Sequence, residues 1–276
     1  MATEALSSPS IHWNAASGTR YLVEFIKGPL SATESEDAKL RAFEIHRQGL
    51  KYNPFLTVEQ LNKNMQAGRD GSIFFASTLD GQDVGYASQR VILINPEDLG
   101  IGREQGVDNE GELDKIIRAL FVTTKVFLEE HQGKGLGTFF AEQANLMHRP
   151  DIFVGRSQNP RVYLSHRRTR LFSKIYPIDE EFGDSFEDLN LRQRALAVIG
   201  RKTGNPGVDL RTGIVKGVYP KGAERAFILN RDNAEEVGIY EALERKGLDF
   251  ANGDAAVYMA VKVAISPQIG RILLAA

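Results

Sequence analysis

The sequence has no cysteine and no long apolar run. The absence of cysteine excludes disulfide bonds, thiolate-ligated zinc and a thiol nucleophile. No apolar stretch approaches the roughly 20 residues that a bilayer-spanning helix needs. The first residues, MATEALSSPS, carry neither the basic nor the apolar region of a secretion signal. We therefore expect a cytoplasmic protein that does not enter a membrane.

The chain also lacks a strong charge of either sign. Its 34 basic and 36 acidic side chains give a formal net charge of -2. No overall electrostatic attraction therefore draws it to nucleic acid or anionic lipid, and neither is an expected partner. His12, His46 and His148 show no ligand spacing with one another or with carboxylates, so no metal site is expected.

The amino-terminal part of the sequence predicts a tail, a strand and two helices. Residues 1–18 are rich in Ala, Ser and Thr and lack periodicity, so we expect a loose tail. The run TRYLVEFIKG, residues 19–28, is rich in β-branched and aromatic side chains and predicts a strand. Capping-box spacing predicts a helix over 34–49, with Leu40 on its apolar face, and a second helix over 57–68.

The middle of the sequence predicts a hairpin followed by alternating elements. Two β-rich runs over 72–94 flank Asp80-Gly81, a pair typical of tight hairpin turns. Four further elements follow: a long acidic loop over 96–114, a strand over 115–130, a helix that ends near His148 and a strand over 151–157.

Beyond residue 177 the pattern is weaker. It predicts helices near 186–200 and 232–246 and strands near 211–219 and 254–264. No repeat, low-complexity tract or linker is visible, which favours a single α+β domain. We expect this domain to span 19–276, with a core at 19–176 and an extension at 177–276 that completes the sheet. A separate small C-terminal domain is the alternative.

A glycine-rich turn, QGKGLG, stands between the predicted strand and helix at residues 132–137. A helix amino terminus carries unsatisfied N–H groups and a partial positive charge, which suit it to bind an anion. Glycines in the preceding turn let the backbone approach a phosphate closely. The turn therefore has two interpretations, a phosphate site or only a sharp connection.

Two common nucleotide-binding motifs do not fit this turn. A P-loop needs Ser or Thr directly after its lysine, and Lys134 is followed by Gly135. A dinucleotide fingerprint needs a third glycine where Thr138 stands. Both nucleotide interpretations are therefore weakened.

The same residues match the pattern Q/R-x-x-G-x-G/A, and with its flanks, VFLEEHQGKGLGTFF, the segment resembles the pyrophosphate loop of the GCN5-related N-acetyltransferase (GNAT) superfamily. The resemblance covers about residues 19–176 and is strongest at 126–144. It implies a GNAT-like α+β fold, with a mixed, mostly antiparallel central sheet flanked by helices and, here, an extended C-terminal part. It also implies an N-acetyltransferase that moves an acetyl group from acetyl-CoA, or another acyl-CoA, to an amine acceptor.

The resemblance further implies which residues bind the acyl-CoA. The strand residues would hydrogen-bond the pantetheine arm and point an N–H at the thioester carbonyl, where negative charge grows during attack. The turn would cradle the pyrophosphate through backbone amides. The residues implied are Val126, Phe127, Leu128, Gln132, Gly133, Lys134, Gly135, Leu136, Gly137, Thr138 and Asn159.

The acid and base of the reaction are less well marked. The family often places a tyrosine seven residues after an asparagine that follows the fifth strand, and it protonates the leaving thiolate. Here the seventh residue after Asn159 is His166, and Tyr163 lies one helical turn earlier, so either is a candidate acid. His166 is alternatively an exposed surface residue. Glu129 or Glu130 is a candidate base, with solvated charges at a strand end as the alternative.

A cluster of arginines follows the fifth strand. Its members are Arg156, Arg161, Arg167, Arg168 and Arg170. The cluster either binds an anion, which would be the CoA 3′-phosphate or an acidic acceptor, or forms a solvated helix face. The solvated face is slightly favoured.

The missing tyrosine also motivates a second function, a catalytically degenerate acyl-CoA-binding module. The acceptor is an unspecified small-molecule or protein amine, and a homodimer through an exposed sheet edge stays open.

Overall fold

The computed structural model describes residues 9–28, 32–49, 71–99, 116–169, 171–179, 191–219, 221 and 229–262. The chain groups into two compact units, each made of separate stretches. Unit 1 comprises Met1–Arg90 and Val122–Phe140, and unit 2 comprises Val91–Phe121 and Ala141–Ala276. The division of this part of the chain into a core and an extension at residue 176 stays a prediction. A single domain over 19–276 stays a prediction.

Strands and helices alternate along the described chain. In order they are β1 (Ser10–Asn14), β2 (Arg20–Lys27), α1 (Ala32–Gly49), β3 (Gly71–Ser77), β4 (Asp83–Ile94), β5 (Ile117–Phe127), α2 (Leu136–His148), β6 (Ile152–Ser157), α3 (Pro160–Arg168), β7 (Phe172–Tyr176), α4 (Leu191–Lys202), β8 (Ile214–Val215), α5 (Ala234–Arg245) and β9 (Ala255–Lys262). The mixed, mostly antiparallel sheet with helices confirms the predicted α+β class. The predicted helix over 57–68 and most of the loop over 96–114 lie outside the described residues.

In unit 1 the strand order is β1-β2-β3-β4-β5. The loose tail that we expected over 1–18 is wrong for residues 10–14, which form β1 and pair antiparallel with β2, with Trp13 opposite Tyr21. β3 and β4 form the predicted hairpin, in which Gly81 adopts φ 87°. An alternating pattern on β2 buries Tyr21, Val23 and Phe25, as a strand with one face on the core requires.

Helix α1 buries a narrower face than its sequence suggests. Ala38, Ala42 and Ile45 recur at helical spacing and are almost fully buried. Leu40, which we expected on the apolar face, is 59% exposed. At its end, α1 approaches β5 closely, since a Cβ at Gly49 would lie 2.7 Å from Val126 Cγ1.

In unit 2 the strand order is β5-β6-β9-β7, and β8 also pairs with β9. β9 is antiparallel to β6, β7 and β8. The backbone N–H of Asp151, just before β6, donates to the carbonyl of Arg118 at the start of β5 at 2.8 Å, so these two strands run in the same direction. The predicted strand near 211–219 is shorter than expected, at two residues.

The core of unit 2 is built around α4 and the central strands. Leu196, Val198 and Ile199 of α4 pack in one cluster with Val257 and Met259 of β9. Complete burial on β9 explains its near-continuous apolar sequence, because both faces of this strand are covered.

No helix in the described part of the chain is long and apolar enough to cross a bilayer. The cytoplasmic location stays a prediction.

Candidate functional site

The glycine-rich turn connects the end of β5 to the start of α2 and contains two glycines in the left-handed backbone conformation. After Phe127 the chain makes a short 3-10 turn over Glu129–His131 and reaches α2 at Leu136. Gly133 and Gly135 adopt φ of 74° and 94°, which side chains with a Cβ rarely adopt. Both glycines are therefore required by the backbone path, whatever the turn binds.

This turn presents a run of backbone N–H donors. Within the described residues, no hydrogen bond to a protein acceptor is formed by the N–H groups of Gly133, Lys134 or Gly135. The first three residues of α2 have no acceptor inside the helix by geometry, and the first such bond runs from Phe139 N to Gly135 O at 3.0 Å. Adjacent donors at the positive end of a helix dipole suit an anion such as a phosphate.

Gln132 braces the turn from inside. Its side-chain Nε2 donates to the carbonyl of Phe127 at 3.1 Å, and its backbone N–H donates to Glu129 O at 3.1 Å. These two bonds tie the start of the turn to the end of β5. The glutamine of the motif thus holds the shape of the loop.

The end of β5 is held by close approaches that only small residues permit. The Leu128 N–H donates to Val84 O on β4 at 2.8 Å. This N–H is therefore engaged within the protein, and the role of Leu128 in acyl-CoA binding stays a prediction. A Cβ at Gly49 of α1 would lie 2.7 Å from Val126 Cγ1, and one at Gly85 would lie 2.2 Å from Phe127 Cδ1. Glycine at both positions lets α1 and β4 contact β5 directly.

An aromatic group lies beside the turn. Trp13 of β1 stacks on Phe139 of α2 with centroids 4.9 Å apart and on Tyr21 with centroids 5.8 Å apart. The Tyr21 hydroxyl lies 3.0 Å from Nδ1 of His131, and this histidine is buried. Burial, with the Lys134 cation nearby, lowers the pKa of His131. His131 is thus a neutral part of the scaffold of the turn.

The two glutamates before the turn are exposed to solvent. Glu129 and Glu130 lie in the 3-10 turn, because β5 ends at Phe127 and not at residue 130 as predicted. Their exposure agrees with the interpretation as solvated charges. A role for Glu129 as the base stays a prediction.

Asn159, Tyr163 and His166 all lie in unit 2, at helix α3. The Asn159 side chain caps α3 by accepting from Arg161 N at 3.0 Å. Tyr163 is fully buried and donates its hydroxyl to Ser157 O at 3.0 Å. Burial raises the pKa of Tyr163 well above its ordinary value.

His166 is 1% exposed, so its interpretation as a surface residue is wrong. Its Nε2 lies 3.0 Å from the hydroxyl of Tyr258 on β9. A Cβ at Gly155 would lie 2.3 Å from that hydroxyl, so the glycine provides the space that Tyr258 occupies. Tyr258 was not predicted as a partner, because no local sequence signal links residues 92 positions apart.

The arginine cluster mostly forms structural contacts in unit 2. Arg161 Nε lies 3.2 Å from Oε1 of Glu236, a carboxylate whose residue is only 2% exposed. Arg156 donates to Asn205 Oδ1 at 2.6 Å, and Arg167 pairs with Asp179. The favoured interpretation as a solvated helix face fits the exposed Arg167 and Arg168, while Arg170 lies outside the described residues.

No group of three or more metal-ligating side chains occurs among the residues that the structure describes.

Comparisons with known proteins place acetyltransferases among the similar solved structures. No protein-family model and no curated protein matches the chain. The GNAT domain of S. lividans PAT is 14% identical, with a TM-score of 0.40 over 65% of this chain and 92% of its own. Arabidopsis thaliana NAA60, solved with acetyl-CoA, is 10% identical, with a TM-score of 0.36 over 55% of this chain and 88% of its own.

A third similar structure is an aminoglycoside acetyltransferase, meta-AAC0020, from an uncultured soil metagenomic sample, solved with sisomicin. It is 14% identical, with a TM-score of 0.36 over 61% of this chain and 95% of its own.

Proposed function

We propose that this chain is an acyl-CoA-dependent N-acetyltransferase that binds acetyl-CoA at the turn between β5 and α2. The observation that carries the proposal is the pair of left-handed glycines, Gly133 and Gly135, which present successive backbone N–H groups at the amino terminus of α2. Such an arrangement suits the pyrophosphate of CoA, and the glycine spacing is that of the GNAT motif. The hydroxyl of Thr138 and the Lys134 cation add further groups for the anion.

The reaction would be a direct transfer. The amine nitrogen attacks the thioester carbonyl carbon, the C–S bond breaks, and the CoA thiolate leaves with the bonding pair. The end of β5, at Val126 and Phe127, would run along the pantetheine arm. Positioning the two substrates would make the largest contribution, because the chain needs to supply no covalent intermediate.

The general acid is proposed to be His166 or Tyr163, as the position after Asn159 suggests. His166 is hydrogen-bonded to Tyr258, and Tyr163 is hydrogen-bonded to Ser157. A test must therefore separate a role as the acid from a structural role. The variants His166→Phe and Tyr163→Phe, compared by rate of free-thiol release, test the assignment. Unchanged rates in both would discard it.

A second function, a non-catalytic acyl-CoA-binding module, has one observation in its favour. The hydroxyl of Tyr163 and Nε2 of His166 already bond to Ser157 and Tyr258, as groups with only a structural role would. The turn would then bind acyl-CoA without any transfer.

Calorimetry with acetyl-CoA tests what both functions share. We expect the full chain to bind acetyl-CoA and Gly135→Val to lose this binding. Position 135 has a left-handed backbone conformation that is unfavourable for valine. No heat of binding at millimolar acetyl-CoA would reject both functions. Free-thiol release with a panel of small-molecule and peptide amines then separates them, because only the enzyme releases CoA in response to an acceptor.

A further inference from the structure

A buried histidine in unit 1 has one ring nitrogen without a partner. His46 of α1 is 6% exposed, and its Nδ1 lies 3.1 Å from the hydroxyl of Tyr86 on β4. Its Nε2 is buried and has no hydrogen-bond partner within the described part of the chain. A buried polar atom without a partner is costly, and such atoms are rare unless they have a role.

This histidine lies beside the end of β5. Gly49, three residues after His46 and on the same face of α1, approaches Val126 so closely that a Cβ would lie 2.7 Å from its Cγ1. His46 therefore belongs to the helix face that contacts the strand whose end the proposed function assigns to the thioester.

The register of β4 and β5 supports this placement. Leu128 N bonds to Val84 O and Thr123 Oγ1 bonds to Ser88 O, so the two strands are antiparallel. Tyr86, two residues after Val84, consequently lies opposite Val126, two residues before Leu128.

Thr124 on β5 also lies near the Tyr86 hydroxyl and affects its pKa. The hydrogen bond between His46 Nδ1 and Tyr86 therefore lies beside β5. It holds the imidazole in one orientation and leaves Nε2 as its unused end.

The protonation state fits a proton acceptor. Burial lowers the pKa of His46 to about 4, so the ring is neutral at neutral pH. A neutral imidazole has one N–H and one lone pair. When the N–H is on Nδ1 and points at Tyr86, the lone pair is on Nε2.

We propose that His46 Nε2 is the general base that takes the proton from the attacking amine, an inference that rests on the proposed acetyltransferase function. As the N–C bond forms and the C–S bond breaks, the amine nitrogen becomes positively charged and acidic. Its proton passes to Nε2, the thiolate leaves with the bonding pair, and the imidazolium later returns the proton to water. A weakly basic imidazole suffices, because the proton donor is far more acidic than a free ammonium.

The tautomer of His46 tests the proposal without any acceptor. Long-range proton–nitrogen-15 NMR spectra of the full chain are recorded with and without acetyl-CoA, and His46→Gln assigns the signal. We expect Nδ1 to carry the proton and Nε2 to give the signal of an unprotonated nitrogen. A proton on Nε2 would overturn the proposal, since that nitrogen then has no lone pair to receive another.

Kinetics with a simple amine supply the second test. Ethylamine at high concentration is offered with acetyl-CoA, and free thiol is measured for the wild type, His46→Gln and Tyr86→Phe. Loss of a general base lowers the rate by about 10²–10⁴-fold. We expect a loss of that order for His46→Gln with acetyl-CoA affinity unchanged, and a smaller loss for Tyr86→Phe, which only frees the ring to turn.

His148→Gln is the matched control, because His148 is also buried but lies outside unit 1. Its rate should stay at the wild-type value. An unchanged rate in His46→Gln, with acetyl-CoA still bound, rejects the base role and leaves the proposed function intact. Failure of the wild type to bind acetyl-CoA rejects the proposed function itself, so the two failures are distinguishable.

Discussion

The indole of Trp13 lies against Gly135. A Cβ added to this glycine would stand 3.3 Å from Cη2 of the tryptophan ring, closer than most such contacts. The motif requires a glycine just before α2, and the ring of Trp13 on β1 also leaves little space for a larger side chain at that position. The N-terminal strand therefore helps to determine the shape of the candidate site, although the sequence predicted only a loose tail there.

Replacing Gly135 with alanine should cost both stability and acyl-CoA affinity. The backbone has φ 94° at this position, and a left-handed conformation costs a residue with a Cβ about 1–2 kcal/mol. The contact with Trp13 adds to this cost. Urea unfolding measures the first effect and acetyl-CoA calorimetry measures the second.

Gly81→Ala is the matched control for that change. Gly81 has φ 87° in the β3–β4 hairpin, and a Cβ there would meet nothing within 4 Å. It should lower stability by a similar strain and leave acetyl-CoA affinity unchanged. Equal affinity losses in the two variants would contradict a specific role for Gly135.

Trp13 should report ligand binding through its fluorescence. It is the only tryptophan in the chain, and it contacts Gly135 and stacks on Phe139, both at the start of α2. An anion bound by the turn changes the field at the indole, so titration with CoA should shift or quench the emission with saturation. Pantetheine, which lacks the pyrophosphate, is the control and should leave the spectrum unchanged.

Arg161→Met should destabilise unit 2 more than Arg168→Met. Arg161 pairs with the buried Glu236, which also accepts from Asn230 N at 2.9 Å. Breaking a buried ion pair costs about 3–5 kcal/mol. We expect about 2 kcal/mol here, because Arg161 is partly exposed and Glu236 keeps its hydrogen bond from Asn230 N. Exposed Arg168 should change stability by no more than about 0.5 kcal/mol.

Thermal or urea unfolding of these two variants measures how much each arginine contributes to stability. Adding Glu236→Gln to Arg161→Met should recover part of the stability, because no buried charge is then left unpaired. Equal stability in the two single variants would show that the pair contributes nothing measurable.

Asp254→Asn should destabilise unit 2 in a pH-dependent way. This fully buried carboxylate accepts from Lys216 Nζ at 2.7 Å, Gly217 N at 3.0 Å and Asp249 N at 2.9 Å. Burial raises its pKa, but the hydrogen bonds and the Lys216 charge outweigh burial, so the net pKa is lowered from 3.8. Losing the charge should cost about 1–3 kcal/mol near neutral pH.

The sign of the pH effect follows from the lowered pKa. The stabilisation by ionised Asp254 is complete above the unfolded-state pKa of 3.8 and is lost as the pH falls through the lower folded-state pKa. The difference in unfolding free energy between wild type and Asp254→Asn should therefore be constant above about pH 5 and shrink below pH 4. Exposed Asp232→Asn serves as the control, and a difference that grew in acid would contradict the assignment.

Local patterns in the sequence predicted much of the fold. The hairpin at Asp80-Gly81 and the strand–turn–helix at QGKGLG are set by turn chemistry, which acts over a few residues. β1 was missed because an edge strand exposed on most of its length has no alternating apolar pattern to show. The buried face of α1 was misplaced because Ala38 and Ala42 carry less hydrophobic signal than the exposed Leu40.

The candidate site was only partly predictable for a different reason. The positions of Gly133 and Gly135 follow from the motif, but the bond from Leu128 to Val84 depends on the register of β4 and β5. The pairing of His166 with Tyr258, and of His46 with Tyr86, joins residues far apart in the sequence. Such contacts follow from tertiary packing, which no local pattern encodes.

The division of the chain into discontinuous units has a consequence for synthesis. Unit 1 needs the stretch Val122–Phe140, and the ribosome makes Val91–Phe121 of unit 2 before it. The first ninety residues therefore emerge without β5, α2 or the glycine turn, and the β4 edge cannot pair with β5 until Phe127 has been made. Synthesis of unit 2 begins before unit 1 is complete, so the two units fold over overlapping periods.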